Sequence, residues 1–195
     1  MKKLAVLLVC LLFAGSMTVQ AEGLVIKAGA NFTDIKSTDS RPFGWQAGLG
    51  FQTEIPDGFG VCFQPELIYK VYGVQLSDAK DIRRGYLEIP LNVQLGLNIG
   101  NNDNLHPFVF AGPYVGLNVA NHFKGNWNTT DEQTVRDGFK KAEFGLGIGV
   151  GIDLWILQVT AKYNWNFGQI SGATVDNISL KNAPRIVELC VGLNF

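Results

Sequence analysis

Residues 86–100 alternate strictly between apolar and polar or small side chains, and this period of two constrains the fold more than any other feature of the chain. The apolar positions are Leu87, Ile89, Leu91, Val93, Leu95, Leu97 and Ile99, and the intervening ones are Glu88, Pro90, Asn92, Gln94, Gly96 and Asn98. Successive side chains of a β-strand point to opposite faces. The segment therefore predicts a strand with one apolar and one polar face.

The same alternation recurs in seven other segments, and helical periodicity is nowhere sustained. The eight segments are residues 24–33, 43–54, 59–71, 86–100, 107–119, 141–154, 157–167 and 187–195. The fifth is apolar on both faces, and its residues Val109, Ala111, Val115, Leu117 and Val119 are assigned to the same face as the other aliphatic side chains. The chain is thus predicted to be all-β, with an even number of strands of about ten residues each.

The connections between the predicted strands alternate in length. Those after the second, fourth and sixth strands are short, namely residues 55–58, residues 101–104 and a turn around Trp155. Those after the first, third, fifth and seventh strands are polar and mostly long, namely residues 34–42, 72–83, 120–140 and 168–184. Short turns at one end and long loops at the other are typical of bacterial transmembrane barrels, in which the short turns and both termini face the periplasm.

Charged residues are confined to one face of the predicted strands. The aliphatic face has none, and the opposite face carries Lys27, Glu54, Glu66, Lys70, Glu88, Glu143, Asp153, Lys162 and Glu188. A soluble sandwich is the alternative fold, because it too presents a charged face to water. The alternation alone therefore does not decide between the two.

Three further features favour a membrane barrel over the sandwich. Aromatic side chains such as Trp45, Tyr69 and Trp165 gather near the ends of the apolar face, as interfacial girdles do. The polar face is rich in glycine, as in residues 145–151, which suits the lining of a tightly curved barrel. The chain also ends on a strand, at Phe195. We predict an eight-stranded antiparallel up-and-down transmembrane β-barrel with its aliphatic face toward lipid.

The charges of the polar face are predicted to fill the barrel. An eight-stranded barrel is only wide enough for its own side chains, so no open water-filled pore is expected. The sequence predicts an internal network of ion pairs and hydrogen bonds, because charges held away from bulk water need partners. In this network Lys27, Lys70 and Lys162 face Glu66, Glu88, Glu143 and Glu188, with Asp153 on the same lining. The alternative is a proton or ion path, in a narrow channel or transporter for small solutes.

The N-terminal residues predict export. Lys2 and Lys3 precede an apolar run from Leu4 to Gly15, and Val19 and Ala21 place small side chains at the two positions that a signal peptidase recognises. We expect residues 1–21 to be a cleaved signal peptide and residues 22–195 to form one barrel domain. Removing the two lysines leaves 14 basic residues against 17 acidic ones, a formal charge of −3, which gives no indication of nucleic-acid binding.

Residues for metal or cofactor chemistry are sparse. The mature chain keeps only Cys62 and Cys190, on strands that are not neighbours, and both are expected to be free thiols in the packed interior. No two histidines lie at a metal-ligand spacing, so neither a zinc site nor a cofactor is predicted.

The longest predicted loop carries the residues best suited to recognition. His122, Phe123 and Trp127 lie there, and the two aromatic residues suit either binding to a sugar or a protein, or a position at the bilayer interface. His122 shares the loop with Thr129, Thr130 and Asp131. This leaves a membrane-embedded acyltransferase or hydrolase as a further alternative.

Four segments together resemble a known family. They are YLEIPLNVQL (residues 86–95), PFVFAGPYVGL (107–117), KYNWNFGQIS (162–171) and VGLNF (191–195). They are similar to the small outer-membrane β-barrel family common in Bacteroidetes, the PorT-like barrels. The resemblance implies an outer-membrane location and a C-terminal signal, ending at Phe195, that the barrel assembly machinery recognises. It implies no catalytic residues.

From these features we expect a monomeric, non-enzymatic barrel surrounded by outer-membrane lipid. Its loops are expected to bind an unidentified surface or periplasmic protein, with a link to secretion as one option, or the barrel simply stiffens the membrane.

Overall fold

The strands of the computed structural model close into an antiparallel barrel. The structure describes residues 23–34, 42–55, 60–77, 80–97, 105–125, 133, 140–167, 174–175, 178–179 and 183–195. The barrel strands are β1 (Gly23–Asp34), β2 (Phe43–Glu54), β3 (Val61–Ser77), β4 (Lys80–Gly96), β5 (Leu105–Gly125), β6 (Ala142–Leu154), β7 (Leu157–Asn166) and β10 (Arg185–Asn194). A separate two-stranded sheet pairs β8 (Thr174–Val175) with β9 (Ile178–Ser179).

The strands from β1 to β7 pair in chain order, β7 pairs with β10, and β10 pairs with β1 to close the barrel. The closing seam continues past the strand ends, where Leu24 and Phe195 exchange two backbone hydrogen bonds of 2.9 Å. A backbone group left unpaired in hydrocarbon costs several kcal/mol, so closure removes a large penalty. The predicted eight-stranded barrel is confirmed. Within the described ranges, no helix combines the length and apolar character needed to cross a membrane.

The aliphatic side chains lie on the outside of the barrel, as predicted. Along β4 and at Leu97 just after it, the outward positions from Leu87 onward are all apolar and between 36% and 48% exposed. This run spans about 33 Å of strand. At the usual tilt it forms a band about 25 Å tall, the height of a hydrocarbon layer. The assignment of the fifth predicted strand is also correct, because Phe108, Phe110 and Tyr114 are buried inside.

Three strands run farther than the sequence predicted. We call the end of the barrel at which β1 begins and β10 ends the terminus end, and the opposite end the far end. At the far end β3 continues to Ser77 and β4 begins at Lys80, so the predicted loop at residues 72–83 is wrong. Likewise β5 continues to Gly125, so the predicted loop at residues 120–140 begins later.

The physical reason is that polar side chains occupy the outward positions of these extensions. Asp81 and Arg83 point outward there, while Tyr72, Ile82 and Arg84 remain buried. The alternation of exposure therefore continues, but it no longer coincides with an alternation of apolar and polar residues. Beyond the hydrocarbon layer both faces of a strand tolerate polar side chains.

A β-bulge changes the facing of β5 at the same level. Gly85 of β4 pairs with Ala120, whereas Tyr86 pairs with Asn118, so Val119 is an extra residue in β5. Such an insertion reverses which residues face outward beyond it. His122 is accordingly exposed, and Phe123 is half-buried.

Glycines on the inner face of β6 make room for aromatic rings of β5. A Cβ on Gly149 would overlap the Phe110 ring and the backbone oxygen of Ala161, and one on Gly151 would overlap the Phe108 ring. The outer atoms of both rings thus occupy the space that side chains would take at these two positions of β6. This is the glycine-rich lining that the sequence predicted.

Candidate functional site

The polar faces of the strands meet in the barrel interior. The buried charged residues of the described chain are four cations and four carboxylates: Lys27, Lys70, Arg84 and Lys162, with Glu66, Glu88, Glu143 and Glu188. Their formal charges cancel, as expected for ions removed from water. Asp153 lies near the terminus end and is only half-buried, and Glu54 at the end of β2 is exposed.

Lys70 is at the centre of this network. Its side chain is fully buried, and its Nζ lies 2.5 Å from Glu88 Oε2 and 2.5 Å from Glu188 Oε1. Gln46 Nε2 donates to Glu188 Oε2 at 3.1 Å, and Asn164 Nδ2 donates to Glu188 Oε1. Lys70 therefore links its own strand β3 with β4 and with β10 on another side of the barrel.

A second ion pair continues the network toward the terminus end. Lys27 pairs with Glu66, which also accepts a hydrogen bond from Gln64. Gln64 Nε2 donates to Gln158 Oε1 at 3.4 Å, and Gln158 Nε2 donates to Asp153 Oδ1 at 3.0 Å. A continuous chain of polar contacts therefore runs from Lys27 to Asp153.

Glu143 does not pair with a lysine within the described residues, contrary to the prediction. Tyr72 Oη donates to Glu143 Oε2 at 3.0 Å, and Asn166 Nδ2 donates to the same oxygen at 2.8 Å. Tyr72 was assigned to a loop by the sequence analysis because the predicted strand ended at residue 71, whereas β3 continues to Ser77. Its even number, shared with the buried Glu66 and Lys70 on β3, was the signal that could have placed it inside.

Aromatic and guanidinium groups close the far end of the interior. The rings of Tyr72 and Tyr86 stack, with their centroids 5.1 Å apart and their planes 11° from parallel. The Arg84 guanidinium lies 4.9 Å from the centroid of the Tyr86 ring, and its Nη2 donates to the Lys140 carbonyl at 3.0 Å. These residues were missed from the sequence.

Lys162 also departs from the prediction. It is buried, and its Nζ has no hydrogen-bond partner among the residues that the structure describes. Glu188 is its cross-strand partner but pairs with Lys70 instead. Nζ of Lys162 lies 5.6 Å from the centroid of the Tyr114 ring, and Nζ of Lys70 lies 5.7 Å from the same centroid. The ring thus receives two cations at distances typical of cation–π contacts.

One cavity that the described residues enclose near the centre is small. A cavity of about 20 Å³ lies between polar side chains. Its lining includes Lys27, Gln46, Glu66, Asn92, Lys162 and Glu188. That volume accommodates about one water molecule and is too small for a hydrated ion or a sugar.

Cys62 and Cys190 are both buried and form no disulfide, as predicted. They lie on β3 and β10, and both β1 and β2 separate these strands in the barrel.

The predicted recognition residues are not together in a described loop. His122 and Phe123 lie on β5, where His122 pairs with Arg83 of β4. Trp127, Thr129, Thr130 and Asp131 fall outside the described residues. Phe195 is 64% exposed on the outer side of the seam, and its recognition by the assembly machinery stays a prediction. Over the described ranges, no group of three or more His, Cys, Asp or Glu residues is arranged to hold a metal ion.

Comparison with known proteins supports the architecture. The family model described as "Outer membrane protein beta-barrel domain" matches residues 11–172. The outer membrane enzyme PagL is 12% identical, and the alignment covers 87% of this chain and 98% of PagL with a TM-score of 0.53. No curated protein shows significant sequence similarity.

Two further solved structures are similar at the same low level of identity. Neisserial surface protein A is 13% identical over 88% of this chain and 97% of its own, with a TM-score of 0.49. Ail of Yersinia pestis, solved with the heparin analogue sucrose octasulfate, is 14% identical over 89% and 99%, with a TM-score of 0.46. At such identities a likeness shows a shared fold alone.

Proposed function

The chain belongs to the family of outer membrane protein beta-barrel domains, and on that premise we propose that it is a non-enzymatic outer-membrane barrel that binds a protein partner at its far end and conducts no solute. The observation that carries this proposal is the filled interior. Lys70 and its two carboxylates block the centre, and the cavity beside them measures about 20 Å³.

The far end supplies the surface for a partner. The strands β3, β4 and β5 are 17, 17 and 21 residues long, whereas the other barrel strands have 10 to 13 residues. Their ends project as a three-stranded sheet past the apolar band, and the long segments of residues 126–141 and 167–184 begin and end at the same side. A link to secretion, from the PorT-like resemblance, is part of the proposal.

The absence of catalysis is also part of the proposal. PagL is an enzyme, but its likeness to this chain concerns the fold. In this chain His122 faces away from the interior, and its cross-strand partner is Arg83 rather than a carboxylate that would orient a catalytic imidazole.

We expect the purified full chain to show no conductance in planar bilayers, because Lys70, Glu88 and Glu188 are packed together in the middle of the described interior. A water-filled porin in the same membrane serves as the positive control. Glu88→Gln and Lys162→Met, each checked for folding by circular dichroism, should also stay silent. Discrete steps in the wild type that change size in either variant would instead establish a narrow channel.

A protein partner should be captured by cross-linking at the far end. With a photoreactive amino acid in place of the exposed Lys141, we expect one dominant protein adduct in whole cells. The adduct should disappear when residues 126–139 are replaced by a Gly/Ser linker. A matched probe in place of the exposed Trp155, at the terminus end, should not give the same adduct. Equal adducts from both ends, or none at the far end, would refute partner binding there.

A further inference from the structure

We propose that the outer wall of the far end, just beyond the apolar band, binds the phosphate of an anionic lipid headgroup through Arg83, His122 and Lys124. These three residues are distinct from the interior network.

The strand register brings the three side chains together. Arg83 of β4 pairs with His122 of β5, and Asp81 pairs with Lys124. His122 and Lys124 are exposed, and the Arg83 side chain is 39% exposed. Directly opposite side chains of an antiparallel pair have their Cβ atoms about 5 Å apart, so the basic groups share one patch. The bulge at Val119 is what turns His122 and Lys124 to this side.

The patch lies at the level where lipid headgroups begin. Leu87 is the last outward aliphatic residue of β4, and Arg83 lies four residues, or about 13 Å, farther along the strand. Trp45 and Tyr69 form an aromatic pair just below, with ring centroids 5.6 Å apart. Such pairs mark the bilayer interface. Basic side chains directly above an aromatic girdle attract anionic headgroups.

Gly85 has no side chain, and this leaves room for one more hydrogen-bond donor, the Tyr69 hydroxyl, beside the patch. A Cβ on Gly85 would lie 2.7 Å from Tyr69 Oη. Because Tyr69 itself pairs with Leu87, its phenol must extend along the wall toward Arg83 to reach Gly85. The tyrosine hydroxyl therefore stands between the apolar band and the basic groups.

The chemistry of the patch suits a phosphate that is attached to acyl chains. A guanidinium presents paired donors that match two phosphate oxygens. Arg83 Nε lies 3.6 Å from Asp81 Oδ2, so this carboxylate orients the guanidinium while opposing an incoming anion. The exposed Val119, and Leu87 farther toward the apolar band, provide apolar surface for acyl chains. A soluble phosphate would make no use of that surface.

The test measures lipid binding to the full chain in phosphatidylcholine nanodiscs, with bisphosphorylated lipid A as the probe and native mass spectrometry as the readout. Each basic residue near a membrane surface contributes a factor of about five in affinity. Arg83→Ala should therefore weaken lipid A binding about fivefold, and Arg83→Ala with Lys124→Ala about 25-fold. Asp81→Asn should strengthen it.

The matched control is Arg185→Ala, which removes an exposed outward cation at the same end of β10. It should leave the affinity for lipid A unchanged. If Arg185→Ala and Arg83→Ala lowered the affinity for lipid A equally, the protein would attract anionic lipid without a specific site. If the double variant bound lipid A as tightly as the wild type, the patch would not be the binding site. Competition by inorganic phosphate at the concentrations at which lipid A binds would overturn the lipid as ligand.

Discussion

Replacing Lys70 with methionine should lower the free energy of unfolding of the barrel by about 3–5 kcal/mol. The substitution keeps the volume of the side chain but leaves Glu88 and Glu188 buried without the ammonium that lies 2.5 Å from each. Two carboxylates would then face each other away from water. The loss is measured by urea unfolding of the barrel in lipid vesicles, followed by tryptophan fluorescence.

Lys162→Met is the matched control for this experiment. Lys162 is also buried, but it contacts the Tyr114 ring and has no carboxylate at hydrogen-bonding distance among the described residues. Its loss should cost about 1 kcal/mol. Adding Glu88→Gln to Lys70→Met should recover part of the stability, because one of the two stranded charges is removed. Equal costs for the two lysine variants would show that Lys70 does not hold the interior together.

Replacing Leu91 with arginine should destabilise the barrel by about 2–4 kcal/mol. Leu91 points outward in the middle of the apolar band, where a guanidinium would enter the hydrocarbon. Leu97, also outward, lies at the terminus end of the band, and Leu97→Arg should cost about 1 kcal/mol or less because the charge reaches the interface. Both values come from urea unfolding in vesicles. If Leu91→Arg left the free energy of unfolding unchanged, the outer face would not be in contact with lipid.

The period of two was sufficient to predict the strands and the faces of the barrel. It placed Lys27 and Lys70 inside and Leu91 outside because the facing of a strand depends only on residue parity. The prediction failed where the outward positions of a strand are no longer apolar. At Asp81 and Arg83 the outward positions are charged, so a strand above the membrane resembled a loop.

The pairing within the interior was not predictable from the same pattern. Parity indicates that a side chain points inward but not how high along the barrel it lies, because the height of each strand depends on the shear of the closed sheet. The three buried lysines and four buried glutamates were therefore assigned to the interior, whereas Arg84 and the partners of Glu143 and Lys162 were not predicted. Aromatic residues are the partners instead of charged ones: Tyr72 donates a hydrogen bond to Glu143, and the Tyr114 ring lies beside the Lys162 ammonium.

The position of Glu188 has a consequence for how the barrel is made. Lys70 belongs to the third strand to be synthesised, and one of its two carboxylates arrives only with the last strand, β10. Until then the buried charges of the other described barrel strands are four cations against three carboxylates, and the seam to β1 is open. Docking of the C-terminal strand completes the backbone pairing and the charge balance in the same event. Because both depend on the same strand, a barrel without β10 lacks both the closed seam and the last interior carboxylate.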